Sequence, residues 1–217
     1  DGFTAYLNGV EIARRNTGAA GSPVFHDQVA FNGAERFIAG FKNTVWSDSV
    51  VLRAASDLLQ SGTNVLAIQM HSNDIYLSDT TLHSQFSLRT AADETLIESG
   101  GIWEWHVGIC EPSGGVTDPG SGPDGSLVPQ WFDLNFDDGD WLAGPGGIGY
   151  GDGDDVTDVQ SLVKDKATTL YLRNVFNVTG PSGTLEMSVD YDDGFFAYLN
   201  GHEIARRNSG NTGSIVP

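Results

Sequence analysis

The sequence has little cysteine and no long apolar run. Cys110 is the only cysteine among 217 residues, so the chain forms no internal disulfide, which by itself neither indicates nor excludes secretion. No apolar run approaches the roughly 20 residues that a membrane-spanning helix needs. We therefore expect no membrane insertion.

Positive charge is scarce as well. Lysine and arginine number 11 against 29 aspartates and glutamates, which gives a formal net charge of −18. Such a surface repels phosphate backbones and anionic headgroups, so we expect no nucleic acid partner. The surplus of carboxylates could bind divalent cations, or it could serve only to keep the protein soluble.

Motifs of catalysis and nucleotide binding are missing too. The sequence contains neither HExxH nor GxSxG, and no GxGxxG stands between a strand and a helix. Carboxylate pairs that could cleave glycosidic bonds lie in Gly-rich turns, where no rigid opposing pair is evident. We therefore expect a protein that is not an enzyme.

The beginning and the end of the sequence repeat each other. Residues 1–25 and 193–217 agree at 18 of 25 positions without gaps, at a spacing of 192 residues. This period has the size of a whole domain and is far too long for a solenoid repeat, so the sequence predicts a tandem array of large modules. Neighbouring copies of the module, joined head to tail, are the expected partners.

Each copy of the repeat contains a hairpin pattern. In the first copy the strands FTAYL and VEIAR flank an Asn-Gly dipeptide, which accepts the positive φ angles of a two-residue type I′ turn. This turn is predicted to pair Leu7 with Val10 and Ala5 with Ile12. We expect the residues of this hairpin to have a structural role.

Short β-prone segments occupy much of the remaining sequence. They are separated by turns rich in Gly, Asp, Ser and Pro, and helix signals are sparse. This pattern predicts an all-β sandwich. The clearest segments are residues 64–71 and 82–89 and the stretches IWEWHV, TTLYLRNVFNV and TLEMSVDY.

A module boundary is predicted near the middle of the chain. Residues 90–100 are polar and acidic and end on glycine, which is typical of a linker. Residues 1–89 then form the C-terminal part of one module, and residues 101–217 form the N-terminal part of the next. These two parts could pack on each other within one chain, or each could be completed by a neighbouring copy.

Several motifs together resemble a known family. They are FDDGDW followed by GPGGIGYGDGDD, then TTLYLRNVFNV, DYDDGFFAYLNGHEIARRN and LLQSGTNVLAIQMHSND. In this order they resemble a jelly-roll module of the galactose-binding-like superfamily, as found in large secreted bacterial multi-domain proteins. The YLNG and GTNVLAI motifs are also similar to the sugar-binding jelly roll of family 2 glycosidases.

The resemblance implies a jelly-roll β-sandwich, here an out-of-register excerpt of a tandem repeat. It also implies a secreted, extracellular location at a cell surface. The expected function is that of a non-enzymatic structural or adhesive module in a long tandem array or filament. The alternative is a carbohydrate-binding module attached to a secreted hydrolase, with glycans as partners.

Two groups of residues are candidate binding sites. Asp152, Asp154 and Asp155 lie in a Gly-Asp loop that can offer carboxylate and carbonyl oxygens to calcium, and related jelly rolls often carry a structural calcium ion. Turn formation is the competing interpretation of these aspartates. Trp103 and Trp105 point to the same side of a strand and could form a ligand-binding platform for sugar rings, with buried core positions as the competing interpretation.

Overall fold

The protein is all-β in the computed structural model, which describes residues 2–8, 10–15, 26–27, 48–54, 59–72, 85–90, 95–114, 130–151, 155–180, 183–190, 195–199 and 202–207. The strands are β1 (Gly2–Leu7), β2 (Val10–Arg15), β3 (Asp48–Ala54), β4 (Gly62–His71), β5 (Gln85–Thr90), β6 (Thr95–Ile97), β7 (Ile102–Val107), β8 (Leu142–Pro145), β9 (Ile148–Gly149), β10 (Thr157–Asp158), β11 (Thr169–Val178), β12 (Thr184–Asp190), β13 (Phe195–Leu199) and β14 (His202–Arg207). The one helix in these ranges is α1 (Gln160–Val163). No helix in the same ranges is long and apolar enough to cross a membrane.

Most of the strands belong to two sheets. One sheet has six strands in the order β2-β1-β4-β11-β7-β8, and the other has four in the order β3-β12-β5-β6. Every ladder in these two sheets is antiparallel. The all-β class predicted from the sequence is confirmed.

One face of the six-stranded sheet packs into the main core. In β11, Leu170 and Leu172 point into this core while Tyr171 between them points away, as the two-residue period of a strand requires. Ile97 of β6 and Leu185 of β12 bring the four-stranded sheet into the same cluster. This shared cluster is called the inner core, and its buried members are Ala5, Leu7, Leu59, Leu66, Ile68, Met70, Ile97, Trp103, Trp105, Ile148, Tyr150, Val159, Val163, Leu170, Leu172, Phe176, Val178 and Leu185.

The opposite face of the six-stranded sheet is covered as well. Residues 130–141, called the covering segment, supply Trp131, which packs with Ala67 of β4 and Tyr171 of β11. β4 is buried on both faces over residues 64–71, and Trp131 covers its outer face at Ala67. This second group of side chains is called the outer cluster, and it consists of Ala67, Trp131 and Tyr171 with the partly buried Tyr6, Phe132, Phe136 and Trp141.

The first hairpin forms at the predicted position, but its register differs in part from the prediction. Asn8 has a positive φ of 50°, as a type I′ turn requires. A bulge after Ala5 shifts the register by one residue, so that Ala5 pairs with Ala13. The predicted pairing of Ala5 with Ile12 is therefore wrong, because the bulge inserts one unpaired residue that an alternating pattern does not reveal.

Strands from both parts of the sequence join in the six-stranded sheet. β4, from residues 1–89, pairs along its whole length with β11, from residues 101–217. β1 continues the sheet on the other edge of β4. β4 and β11, one from each predicted part, thus pair with each other in this chain. Residues 90–100 contain β6, which pairs with β5.

Candidate functional site

The repeated hairpin is fixed to β4 by an asparagine at its tip. The backbone N–H of Asn8 donates to the carbonyl oxygen of Val65 at 2.9 Å, and the N–H of Val65 donates to Asn8 Oδ1 at 2.9 Å. Asn8 Nδ2 donates to Asn64 Oδ1 at 2.8 Å. The end of β1 is thus joined to the start of β4 by hydrogen bonds, two of which need the asparagine side chain.

Asn64 is held in position by its own turn. Its Nδ2 donates to the carbonyl oxygens of Gln60 and Gly62, both at 2.9 Å, and the N–H of Gln60 donates to Asn64 Oδ1 at 3.0 Å. Asn64 is completely buried, and a buried amide requires its donors and acceptor to be engaged in this way. The turn therefore presents one fixed acceptor to the tip of the hairpin.

The second contact of the hairpin is aromatic. Tyr6 stacks on Phe132 with ring centroids 4.1 Å apart and planes at 14°, and it meets Trp131 edge-on at 5.2 Å. Trp131 lies edge-on to Tyr171 at 4.8 Å. Ring pairs of this kind contribute about 0.5–1.5 kcal/mol each beyond burial. Tyr6 thereby ties the hairpin to the outer cluster.

A buried arginine holds the covering segment against the sheet. Arg173 of β11 is 1% exposed, and its Nε donates to Asp138 Oδ2 at 2.7 Å. Its Nη1 donates to the carbonyl oxygens of Trp131 and Asp133, the latter at 3.1 Å. Its guanidinium carbon lies 5.3 Å from the ring centroid of Phe136. One side chain thus anchors the segment at several points.

Burial changes the pKa values of Tyr171, a member of the outer cluster, and of Glu111, its hydrogen-bond partner. The Tyr171 hydroxyl donates to Glu111 Oε2 at 3.1 Å and accepts from Gln69 Nε2 at 3.3 Å. Burial and then the Glu111 charge raise the pKa of Tyr171 far above its usual range, so the hydroxyl stays neutral. Burial also raises the pKa of Glu111, and the hydrogen bonds from Tyr171 and Ser113 offset this only in part.

Glu111 is expected to make the stability of the fold depend on pH. Because its pKa is raised in the folded state, the free energy of unfolding should fall as the pH rises from 4.5 through the folded pKa. Glu111→Gln keeps an acceptor for Tyr171 and should remove this fall, so its advantage over the wild type should grow with pH. Urea unfolding between about pH 4 and pH 8 measures the effect.

The matched control for this prediction is Glu98→Gln. Glu98 is exposed, so this variant removes the same charge without a buried partner and should keep the wild-type profile. A Glu111→Gln profile parallel to that of the wild type would contradict the prediction.

The two tryptophans predicted as a ligand-binding platform lie in the inner core. Both point to the same side of β7, but that side faces the core, and Trp103 is 1% and Trp105 5% exposed. Neither ring offers a face at the surface, so the structure has the competing arrangement, buried core positions. The other side of β7 carries His106, which stacks on the partly buried Trp141 with ring centroids 5.5 Å apart.

The aspartates predicted to bind calcium are only partly covered by the structure. Asp152 and Asp154 lie outside the described residues, and Asp155 is partly buried. In the part of the chain that the structure describes, no group of three or more His, Cys, Asp or Glu side chains is arranged to hold a metal ion. The calcium site at Asp152, Asp154 and Asp155 stays a prediction.

Chelation tests the calcium prediction. A calcium ion whose free concentration is about 100 times its dissociation constant stabilises the folded state by about 2.7 kcal/mol. Removal of the ion by EDTA should therefore lower the Tm by about 5–10 °C. Added calcium should restore the Tm, and Asp154→Asn should make it insensitive to EDTA. Calorimetry that shows no change under saturating chelator would remove calcium from this loop.

The outer cluster is the feature that the sequence analysis missed. A signal was present, since WFDLNFDDGDW concentrates aromatic residues and aspartates in one short stretch without a strand period. Arg173 stands on the non-core side of a strongly apolar strand, and a buried arginine needs carboxylate or carbonyl partners. The aromatic and acidic stretch was visible in the sequence, whereas the burial of Arg173 and its pairing with this stretch are known only from the structure.

Comparisons with protein-family models, curated proteins and solved structures found no match to this chain.

Proposed function

We propose that this chain is a non-enzymatic extracellular module that acts as one structural or adhesive unit of a long tandem array or filament at a cell surface. The observation that carries the proposal is that the sequence repeated after 192 residues forms the same hairpin twice. β1–β2 and β13–β14 have equivalent pairing, and each has a bulge at the same Ala-Tyr step. Such a return after a domain-sized interval is typical of consecutive modules.

The architecture proposed for each module is a jelly-roll β-sandwich of the galactose-binding-like kind. Antiparallel sheets of six and four strands that contribute to one inner core support it. The strand order supports it as well, because β4 lies between β1 and β11 and strands adjacent in space are therefore distant in the sequence.

The polar groups around the outer cluster support a structural role. Arg173 binds Asp138 and the backbone of the covering segment, and Tyr171 binds Glu111. Each of these buried groups thus has a partner that fixes the fold. The net charge of −18 favours solubility of the module in water and disfavours nucleic acid as a partner.

A protein of three consecutive 192-residue periods tests the array. We expect a row of equal globules at regular spacing in electron micrographs and a radius of gyration well above about 25 Å, the value for one compact globule of that length. A radius close to that value would contradict the proposal. A parent gene with fewer than three copies of the module would contradict the long array, and labelling of intact cells tests the surface location.

A carbohydrate-binding module attached to a secreted hydrolase is the second candidate. Trp141 favours it, because this ring is only partly buried and lies beside His106 at the edge of the outer cluster. Partly exposed aromatic rings beside polar groups stack on sugars. Pull-down on insoluble polysaccharides should be lost in Trp141→Ala and kept in Leu142→Ala. Absence of any binding by the wild type would remove this candidate.

A further inference from the structure

The two copies of the hairpin have equivalent backbones but different neighbours. β1 pairs with β2 on one side and with β4 on the other. β13 pairs with β14, and within the described ranges no third strand pairs with its other edge. β13 lies instead against β1 and β2. An unpaired strand edge is a template for pairing with another chain.

Four residues that dock β1 on β4 return unchanged in β13 and its turn. Ala5 and Leu7 enter the inner core, whereas Tyr6 stacks in the outer cluster. Asn8 makes the hydrogen bond to Asn64 described above. The residues at the equivalent positions 192 residues later are Ala197, Tyr198, Leu199 and Asn200.

One buried position differs between the copies. Thr4 is completely buried opposite Gln69 of β4, and the second copy has Phe196 at the equivalent position. The larger ring requires neighbouring side chains to move when β13 enters this place. A smaller residue at position 196 should therefore favour entry.

We propose that the β13–β14 hairpin of one copy docks on β4 of a second copy, in the position that β1–β2 occupies here. This inference rests on the proposed function and names the surface through which neighbouring copies join. The partner is a second copy because β1 fills this position in the same chain. Donor and acceptor surfaces differ, so the contact propagates head to tail.

The connection to the donated hairpin is short. Four residues separate Asp190, the last residue of β12, from Phe195, the first of β13. These five residue steps span at most about 18 Å. A docked hairpin would therefore hold two copies close together and would not leave them on a long tether.

A disulfide trap tests the inference in the full chain. Thr4 and Gln69 are direct partners in the β1–β4 ladder, and direct partners in antiparallel strands have Cα atoms about 4.5–5.5 Å apart, which suits a disulfide. The trap combines Phe196→Cys with Gln69→Cys in a Cys110→Ser chain, where the exposed native thiol is removed. The control combines Thr4→Cys with Gln69→Cys in the same background.

We expect the control pair to crosslink within single chains and the trap pair to give dimers and longer ladders on non-reducing gels. Leu7→Asp should raise the dimer fraction of the trap several-fold, because a charge at this buried position releases β1. Leu199→Asp should instead abolish the ladder. Leu142→Asp, at an exposed position, should leave it unchanged.

Three results would overturn the inference. Crosslinks confined to monomers would place β13 beside β4 of its own chain. No crosslinks in the trap, with crosslinks in the control, would show that β13 does not reach β4 of any copy. No crosslinks in either would contradict the β1–β4 register on which the inference depends.

A peptide experiment covers the case in which Leu7→Asp does not fold. The Gln69→Cys, Cys110→Ser chain with native Leu7 is mixed with a synthetic peptide of residues 193–209 that carries Phe196→Cys. We expect a mixed disulfide that an excess of the peptide of residues 1–17 suppresses. Its absence would overturn the inference.

The three-period protein separates failure of this inference from failure of the proposed function. A regular row of globules without the crosslink between copies would keep the array and remove the hairpin junction. A single compact particle would remove the array itself.

Discussion

Arg173→Ala is expected to lower the free energy of unfolding by about 3–5 kcal/mol, since it removes a buried guanidinium that binds the covering segment at several points. The arginine is 1% exposed and binds Asp138 at 2.7 Å and the carbonyl oxygen of Asp133 at 3.1 Å. Without the guanidinium, these acceptors of the covering segment lose their donor, and an acceptor left without a donor costs more than the net contribution of a satisfied bond. Urea unfolding followed by tryptophan fluorescence measures the loss.

Two further variants separate the charge of Arg173 from its geometry. Arg173→Lys keeps the charge but cannot reproduce the fork of donors, so it should still lose about half of the stability that alanine loses. Asp138→Asn keeps an acceptor, and because Asp138 is 25% exposed in its side chain it should cost much less, about 1 kcal/mol. A lysine variant as stable as the wild type would show that the carbonyl contacts contribute little.

The local elements of the fold could be predicted because their signals lie within a few residues of each other. The Asn-Gly dipeptide predicts the hairpin, and the antiparallel pairing of β1 with β2 from Leu7 and Val10 confirms it. The alternation of Trp103 and Trp105 correctly places both on one side of β7. The alternation does not show which side of the strand faces the core. The sequence alone therefore allows both a ligand-binding platform and buried core positions for these two tryptophans.

The rest could not be predicted because it depends on contacts between distant residues. β4 joins β11 across about a hundred residues, and a ladder of this kind is set by complementary faces that a single sequence does not display. The covering segment packs on the outer side of β4 at Ala67 without any strand period of its own. The sequence of β4 is therefore nearly continuously apolar, as is typical of a strand buried on both faces. The residues that cover its second face lie elsewhere in the chain.

Trp105→Ala is the other large change, with an expected loss of about 3–5 kcal/mol and a fall in Tm of about 10 °C. Trp105 is 5% exposed, and its truncation opens a cavity where both sheets contribute to the inner core. Within the described residues the indole Nε1 has no hydrogen-bond partner. Trp105→Phe therefore breaks no hydrogen bond there and should cost well under half as much.

Leu142→Ala is the matched control for Trp105→Ala. Leu142 is the partner of Trp105 in the β7–β8 ladder but is 52% exposed, so its truncation should change stability by less than about 0.5 kcal/mol. Calorimetry on the three variants distinguishes a core position from a surface platform. A Trp105→Ala protein as stable as the wild type would put this ring at the surface, as a sugar-stacking role requires, and would contradict an inner core built on both sheets.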